Sequence, residues 1–177
     1  MKLWNASNNI TIQSGSGFSF IDSNKKSYLD GISNMWCNVW GHDRTEILDS
    51  MKNQLDTLPH SSLFGLVNQP SAELAKRLIT MAKGMTKVFY TDNGSTAIEA
   101  ALKIATQYWN NKGKSQKKKF ICLKNGYHGD TIGCMSVGYV DGYFSPYKSI
   151  LLKTIKVDSP TIRHGKFGPQ EIEQYVD

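Results

Sequence analysis

Residues 88–103, VFYTDNGSTAIEAALK, constrain the fold of this chain more than any other stretch, because a hydrophobic run, a small polar turn and an amphipathic helix follow one another directly. Val88, Phe89 and Tyr90 suit a buried strand, and Asn93-Gly94-Ser95-Thr96 lets the backbone turn sharply and come close to a ligand. The first N–H groups of the helix that follows have no intrahelical partner, and the helix dipole is positive at that end. The terminus therefore favours an anion, to which Gly94, Ser95 and Thr96 would offer N–H groups and hydroxyls. A phosphate-bearing ligand is the first expectation. The run lacks the Gly-Lys-Ser/Thr ending of a nucleotide P-loop and has one glycine where a dinucleotide fingerprint needs three. A purely structural role also stays open, in which Ser95 or Thr96 caps the helix and Glu99 supports its first turn.

Ile98, Ala101, Leu102, Ala105, Tyr108 and Trp109 recur at helical spacing, Glu99 and Lys103 are placed to pair one turn apart, and Gly113 is placed to stop the helix. The basic run at residues 112–119 has no aromatic residue interleaved and reads as a solvated connector rather than a nucleic-acid site. A second informative stretch, residues 120–137, FICLKNGYHGDTIGCMSV, again runs from an apolar strand into a glycine-punctuated loop. There Tyr127 offers a flat face for stacking, His128 an ionisable imidazole and Asp130 a carboxylate, while Gly126 and Gly129 permit a tight backbone path. A lone histidine in such a loop is commonly a structural hydrogen-bonder.

Together the two loops resemble those of the class III, fold-type I, pyridoxal-phosphate-dependent aminotransferases. The turn and helix match a family pattern that holds the cofactor phosphate, here Asn93, Gly94, Ser95, Thr96, Ala97, Glu99, Ala101 and Lys103; Tyr127-His128-Gly129 matches the motif whose ring stacks on the pyridine. The resemblance implies pyridoxal 5'-phosphate as cofactor, with Gly94, Ser95, Thr96, Tyr127 and His128 at its site and His128 positioning the loop. YLDGISNMWCNVWGH (Tyr28 to His42), LKIATQYWNNKGK (Leu102 to Lys114) and NGYHGDTIGCMSVG (Asn125 to Gly138) are most similar to the biotin-synthesis branch. That branch uses S-adenosylmethionine and 8-amino-7-oxononanoate. The likeness implies substrate contacts at Trp36, Tyr127 and Asp130, with Met35 standing where the branch often has a second aromatic ring. An ornithine- or GABA-type relative, or a phosphate-binding module without catalysis, is the alternative.

Members of the family are much longer, and the resemblance implies that their Schiff-base lysine and the aspartate on the pyridine nitrogen lie beyond Asp177. A leading segment with active-site aromatics would precede Met1. The expectation is an N-terminal fragment that does not transaminate alone, because proton shuttling needs that lysine. A sheet cut part-way would also expose apolar faces and favour aggregation. The final residues, 168–177, read as the start of a helix, with Pro169 in its first turn and Ile172, Tyr175 and Val176 on one face.

The fold class expected is α/β: a mostly parallel, incomplete sheet of the fold-type I large domain, preceded by an N-terminal β-hairpin. The hairpin is placed at Gly17 to Asp22 and Ser27 to Leu29, and helices near Thr45 to Leu58 and Pro70 to Met81. By the family's pattern, residues 1–45 belong with the small domain and 46–177 with the large one, in a homodimer. With 40% hydrophobic residues, no apolar run of membrane-spanning length and no leader pattern, the default compartment is the cytoplasm, with small molecules rather than a membrane or nucleic acid as partners. The net charge of +6 suits anionic ligands generally. Cys37, Cys122 and Cys134 lack metal-ligand spacing and are expected as buried free thiols.

Overall fold

The computed structural model describes residues 9–159 and divides the chain into two compact units, residues 1–84 and 85–177. The helix expected at residues 168–177 lies outside the described residues. The first unit opens with an antiparallel three-stranded sheet in the order β1 (Ile12–Ser16), β2 (Ser19–Asp22), β3 (Ser27–Leu29). β1 is an addition to the expected hairpin: it pairs Ser14 with Ile21 and Gly15 with Phe20, with a register shift between Ile12 and Ser14. The turn from β2 to β3 is held by Asp22, whose carboxylate accepts the N–H groups of Asn24 at 2.8 Å and Lys26 at 2.9 Å and the Tyr28 hydroxyl at 3.1 Å.

The chain then makes a left-handed turn, with φ of 50°, 48°, 56° and 71° at Ser33, Asn34, Met35 and Trp36. Each such residue costs about 1–2 kcal/mol for an L-amino acid, so the turn persists only where other contacts over-determine it. Asp30, 9% exposed, supplies them. Its carbonyl accepts the Ser33 N–H and its carboxylate accepts the Asn34 N–H, at 3.3 and 2.9 Å. Its second carboxylate oxygen lies 2.9 Å from His42 Nε2, and His42 Nδ1 lies 3.0 Å from the Asn38 amide. With Nδ1 accepting from Asn38, Nε2 carries the proton donated to Asp30. Gly15 is bare where His42 sits, since a Cβ there would come within 2.7 Å of the ring. Helices α1 (Thr45–Thr57) and α2 (Gln69–Met81) follow close to their expected limits; Asn68 caps α2 by accepting the Ser71 N–H, and Pro70 falls in the first turn.

The second unit carries the apolar core: Cys122, Cys134, Met135, Val137 and Phe144 are buried. Its long helix α3 spans Gly94–Asn111. It ends in a Schellman motif, with Lys114 N–H donating to Trp109 and Gly113 N–H to Asn110, and Gly113 at φ 69°. β4 (Ile121–Leu123) and β5 (Ile155–Val157) pair in parallel, and between them lie a six-residue helix α4 (Ile132–Val137) and a 3-10 turn over Ser145–Ile150. Ser136 ties α4 to the chain before β5, its hydroxyl accepting the Leu152 N–H at 2.9 Å and its carbonyl the Thr154 hydroxyl at 3.0 Å.

Two expectations are corrected. Val88–Tyr90 joins no β-ladder among the described residues, because strand pairing needs a neighbouring strand that local hydrophobicity does not supply. Cys37 is exposed, like Asn34, Met35 and Trp36 of the left-handed turn it follows, whereas Cys122 and Cys134 are buried free thiols.

Removing the Asp30 carboxylate leaves the Asn34 N–H and the His42 ring without their acceptor. Asp30→Ala is expected to cost about 3 kcal/mol, read as a lowered urea midpoint for tryptophan fluorescence.

Candidate functional site

The phosphate turn forms because Asn93 and Thr96 cap α3 reciprocally. The Asn93 side chain accepts the Thr96 N–H at 3.0 Å, and the Thr96 hydroxyl accepts the Asn93 N–H at 3.1 Å while donating to the Asn93 carbonyl at 2.9 Å. The cap is thus Asn93 rather than Ser95, and Thr96 spends its hydroxyl on shaping the turn. Among the described residues no acceptor takes the N–H groups of Gly94 and Ser95, and no partner takes the Ser95 hydroxyl. No acidic residue stands in the first turn of α3. Three donors at the positive end of an 18-residue helix are therefore left without a protein acceptor among the described residues.

The Tyr127 loop is pressed against this turn. Gly129, buried and at φ 123°, lies so close to Ser95 that a Cβ would meet the Ser95 Cβ at 2.8 Å and clash harder with its hydroxyl. Cys134 adds a second tie, its thiol donating to the Ser95 carbonyl at 3.2 Å. The His128 ring sits between glycines: a Cβ on Gly138 would lie 3.0 Å from its Cδ2, and one on Gly126 would lie 3.3 Å from its Nε2.

Tyr127 stacks on buried Phe144, with ring centroids 6.2 Å apart and planes at 22°, and is itself 57% exposed, so much of the ring stays open. Its hydroxyl donates to Asp130 at 3.2 Å. Partial desolvation, and after it the Asp130 carboxylate, hold the Tyr127 phenol above its ordinary pKa, which keeps it a neutral donor. Tyr127, Asp130, Val140, Tyr143 and Phe144 line a cavity of about 310 Å³, within the size range of small-molecule sites.

Glu99 is the residue that sequence reasoning misplaced. It does not pair with Lys103 and does not serve its own helix's first turn. Its carboxylate accepts the Thr131 hydroxyl at 2.5 Å, the Gly133 N–H at 2.7 Å and the Cys134 N–H at 3.4 Å, and so caps α4 from another helix. Gly133 leaves room for it, since a Cβ there would collide with the carboxylate. A signal was present: Thr131 has the N-cap residue type, but the position three residues on is Cys134, so α4 carries no capping box of its own.

The structure therefore brings Gly94, Ser95, Thr96, Tyr127, His128 and Asp130 together in the second unit. Trp36 belongs to the first unit, at the end of the left-handed turn, and is 72% exposed.

The profile of the aminotransferase class-III family matches residues 3–176. The chain belongs to that family. It is 46% identical over 161 residues to the adenosylmethionine-8-amino-7-oxononanoate aminotransferase of Geobacter sulfurreducens, a match covering 90% of this chain and 36% of that one. The same enzyme of Methanocaldococcus jannaschii is 44% identical over 161 residues, covering 90% of this chain and 35% of that one. Its crystal structure superposes with a TM-score of 0.86 at 43% identity, over 90% of this chain and 36% of that chain. An amine transaminase from an uncultivated Pseudomonas species, in a PLP-bound form, gives a TM-score of 0.81 at 31% identity, covering 88% of this chain and 36% of that one. The chain thus spans little more than a third of the length of these relatives. Their fold-type I α/β architecture is also its own. No helix among its described residues is long and apolar enough to cross a membrane.

The Thr131 hydroxyl foremost, then the Gly133 and Cys134 N–H groups, hold the Glu99 carboxyl below its ordinary value of 4.5 against the opposing effect of partial burial. The folded state thus binds this proton less readily than the unfolded chain. The stabilisation is complete above pH 4.5 and is lost as pH falls through the depressed folded pKa. The stability difference between the unaltered chain and Glu99→Gln is expected to be largest near neutral pH and to shrink well below pH 4.5, checked by urea unfolding at both.

Proposed function

We propose that this chain supplies the phosphate- and ring-binding part of a pyridoxal-phosphate-dependent aminotransferase. That enzyme moves an amino group from S-adenosylmethionine to 8-amino-7-oxononanoate, giving 7,8-diaminononanoate for biotin synthesis. The observation that carries the reading is the seating of the phosphate turn directly against the Tyr127 loop through Ser95 and Gly129. It occurs in a chain 46% identical to an enzyme of that name.

The residues fit the cofactor. The Gly94 and Ser95 N–H groups and the Ser95 hydroxyl, which no protein group takes up among the described residues, suit a phosphate, while Thr96 holds the turn in shape. The open part of the Tyr127 ring suits a pyridine lying flat against it, with Phe144 behind to keep the ring from swinging away. His128, seated between Gly126 and Gly138, sets the path of that loop and so belongs to the cofactor site through its backbone course. Bound pyridoxal phosphate supplies the electron sink that lets an amino group leave one carbon and join another.

We assign substrate contacts to Tyr127 and Asp130 in the second unit and, separately, to Trp36 in the first. Asp130 presents a carboxylate beside Tyr127 and Tyr143, an acidic and aromatic setting suited to the ammonium and sulfonium charges of the two substrates. Trp36 offers a rigid apolar ring on a backbone turn that Asp30 and His42 hold in place. The protein's own residues in this part bind, orient and exclude water rather than transfer protons. We assign residues 1–45 to the small domain and 46–177 to the large domain of a cytoplasmic homodimer.

The native protein is expected to form 7,8-diaminononanoate from S-adenosylmethionine and 8-amino-7-oxononanoate; turnover of ornithine or GABA instead of these substrates would overturn the assignment. In the same protein, Ser95→Ala and Tyr127→Ala are each expected to weaken pyridoxal phosphate binding about tenfold, the equivalent of one hydrogen bond or one ring contact of about 1.4 kcal/mol, measured by cofactor titration.

A further inference from the structure

We infer that Glu99 is a positioning residue that couples the two halves of the cofactor site, so that the phosphate donors and the ring-stacking face act as a single two-point receptor. The inference rests on the reading of that site given above. It concerns a side chain that would touch neither phosphate nor ring.

The argument starts from where the two halves are anchored. The phosphate donors sit on the first turn of α3, at Gly94 and Ser95, and Glu99 lies on the same helix just over one turn further on. The stacking face is Tyr127, on a loop that leads into α4. That loop has few ties of its own: Asn125 sits at φ 59°, Gly129 at φ 123°, and both Tyr127 and Asp130 are exposed. Such a glycine-rich path would by itself sample many positions, and each would move the ring relative to the phosphate donors.

Glu99 removes that freedom from the α4 end. Three donors from three residues in four, Thr131, Gly133 and Cys134, converge on one carboxylate oxygen. The bonds are charge-assisted and two of them occupy orphan N–H groups of α4, those of Gly133 and Cys134, so α4 cannot shift along α3 without stranding them. With α4 docked, Cys134 reaches the Ser95 carbonyl and Gly129 is brought onto the Ser95 side chain. Glu99 thus fixes the start of α4, and the two contacts on Ser95 pass that position to the phosphate turn. A ligand carrying both a phosphate and a flat ring gains from this arrangement, because the second contact is made at high effective concentration once the first has formed. A ligand with only one of the two gains nothing.

The test uses the intact chain with three probes: pyridoxine 5'-phosphate, which has the phosphate and the ring but no aldehyde to react with surface lysines, inorganic phosphate, and pyridoxine. The unaltered chain is expected to bind the whole ligand about 100-fold more tightly than either part. In Glu99→Gln the affinity for the whole ligand is expected to fall about tenfold while the affinities for the two parts stay within about twofold. Thr131→Val, which removes one of the three bonds with little change in shape, is expected to move the same ratio in the same direction by a smaller factor, and it carries the test if Glu99→Gln does not fold. A role confined to stability would weaken all three probes in parallel or none of them, and either result overturns the coupling while leaving the cofactor site intact. Failure of the unaltered chain to bind pyridoxine 5'-phosphate at all would overturn the proposed function and the coupling with it.

Discussion

One carboxylate organises the second unit. Glu99 satisfies the first turn of a six-residue helix that has neither the length nor the side-chain cap to stand alone, and isolated helices of that size do not persist in water. What keeps α4 helical is the burial of Cys134, Met135 and Val137 below it, together with a negative charge from another helix at its positive end. Because α4 is placed in this way, Gly129 comes against Ser95, His128 settles between two glycines, and Tyr127 leans on Phe144. The phosphate turn is shaped locally by Asn93 and Thr96, but its meeting with the Tyr127 loop lies downstream of that docking.

The first unit solves a comparable problem differently. Four consecutive non-glycine residues in the left-handed region are individually unfavourable, and the unit holds them with a buried polar network instead of a hydrophobic cluster. Asp30, His42 and Asn38 are joined in series, and Phe20 lies 4.4 Å from the His42 ring centroid. The result presents Met35 and Trp36 outward, at 59% and 72% exposure, on a backbone that is not free to relax. Strain of this kind recurs at binding surfaces, which accords with the proposed role of Trp36. Apolar residues on α1 and α2, among them Met51, Leu55, Leu74 and Met81, are also exposed.

Much of this was legible in the amino-acid order. The limits of α1, α2 and α3 follow from apolar spacing and from local stop signals, with Pro70 at a start and Gly113 at an end. The hairpin of β2 and β3 follows from two apolar runs around a polar turn, and the phosphate turn from glycine followed by small hydroxyl residues at a helix start. The likeness of the Tyr127-His128-Gly129 loop to a known family added the cofactor, which spacing alone left open. What escaped reading was long-range. β1, the helix α4, the destination of the Glu99 side chain and the exposure of Cys37 each depend on what another part of the chain brings alongside.

Local signals work through a few neighbouring residues: a cap, a turn or an apolar stripe is complete within one element, so the order of amino acids by itself determined α1, α2, α3, the phosphate turn and the chemistry on offer. Glu99 shows the boundary of that logic. Its spacing to Lys103 permits a pair worth only a few tenths of a kcal/mol. Thr131, Gly133 and Cys134 instead offer a helix terminus in need of an anion, in a partly buried place where charge-assisted bonds are stronger. The choice between them, and with it the meeting of the phosphate turn and the Tyr127 loop, was made by tertiary structure, because only folding brings residues more than thirty positions apart within hydrogen-bonding distance.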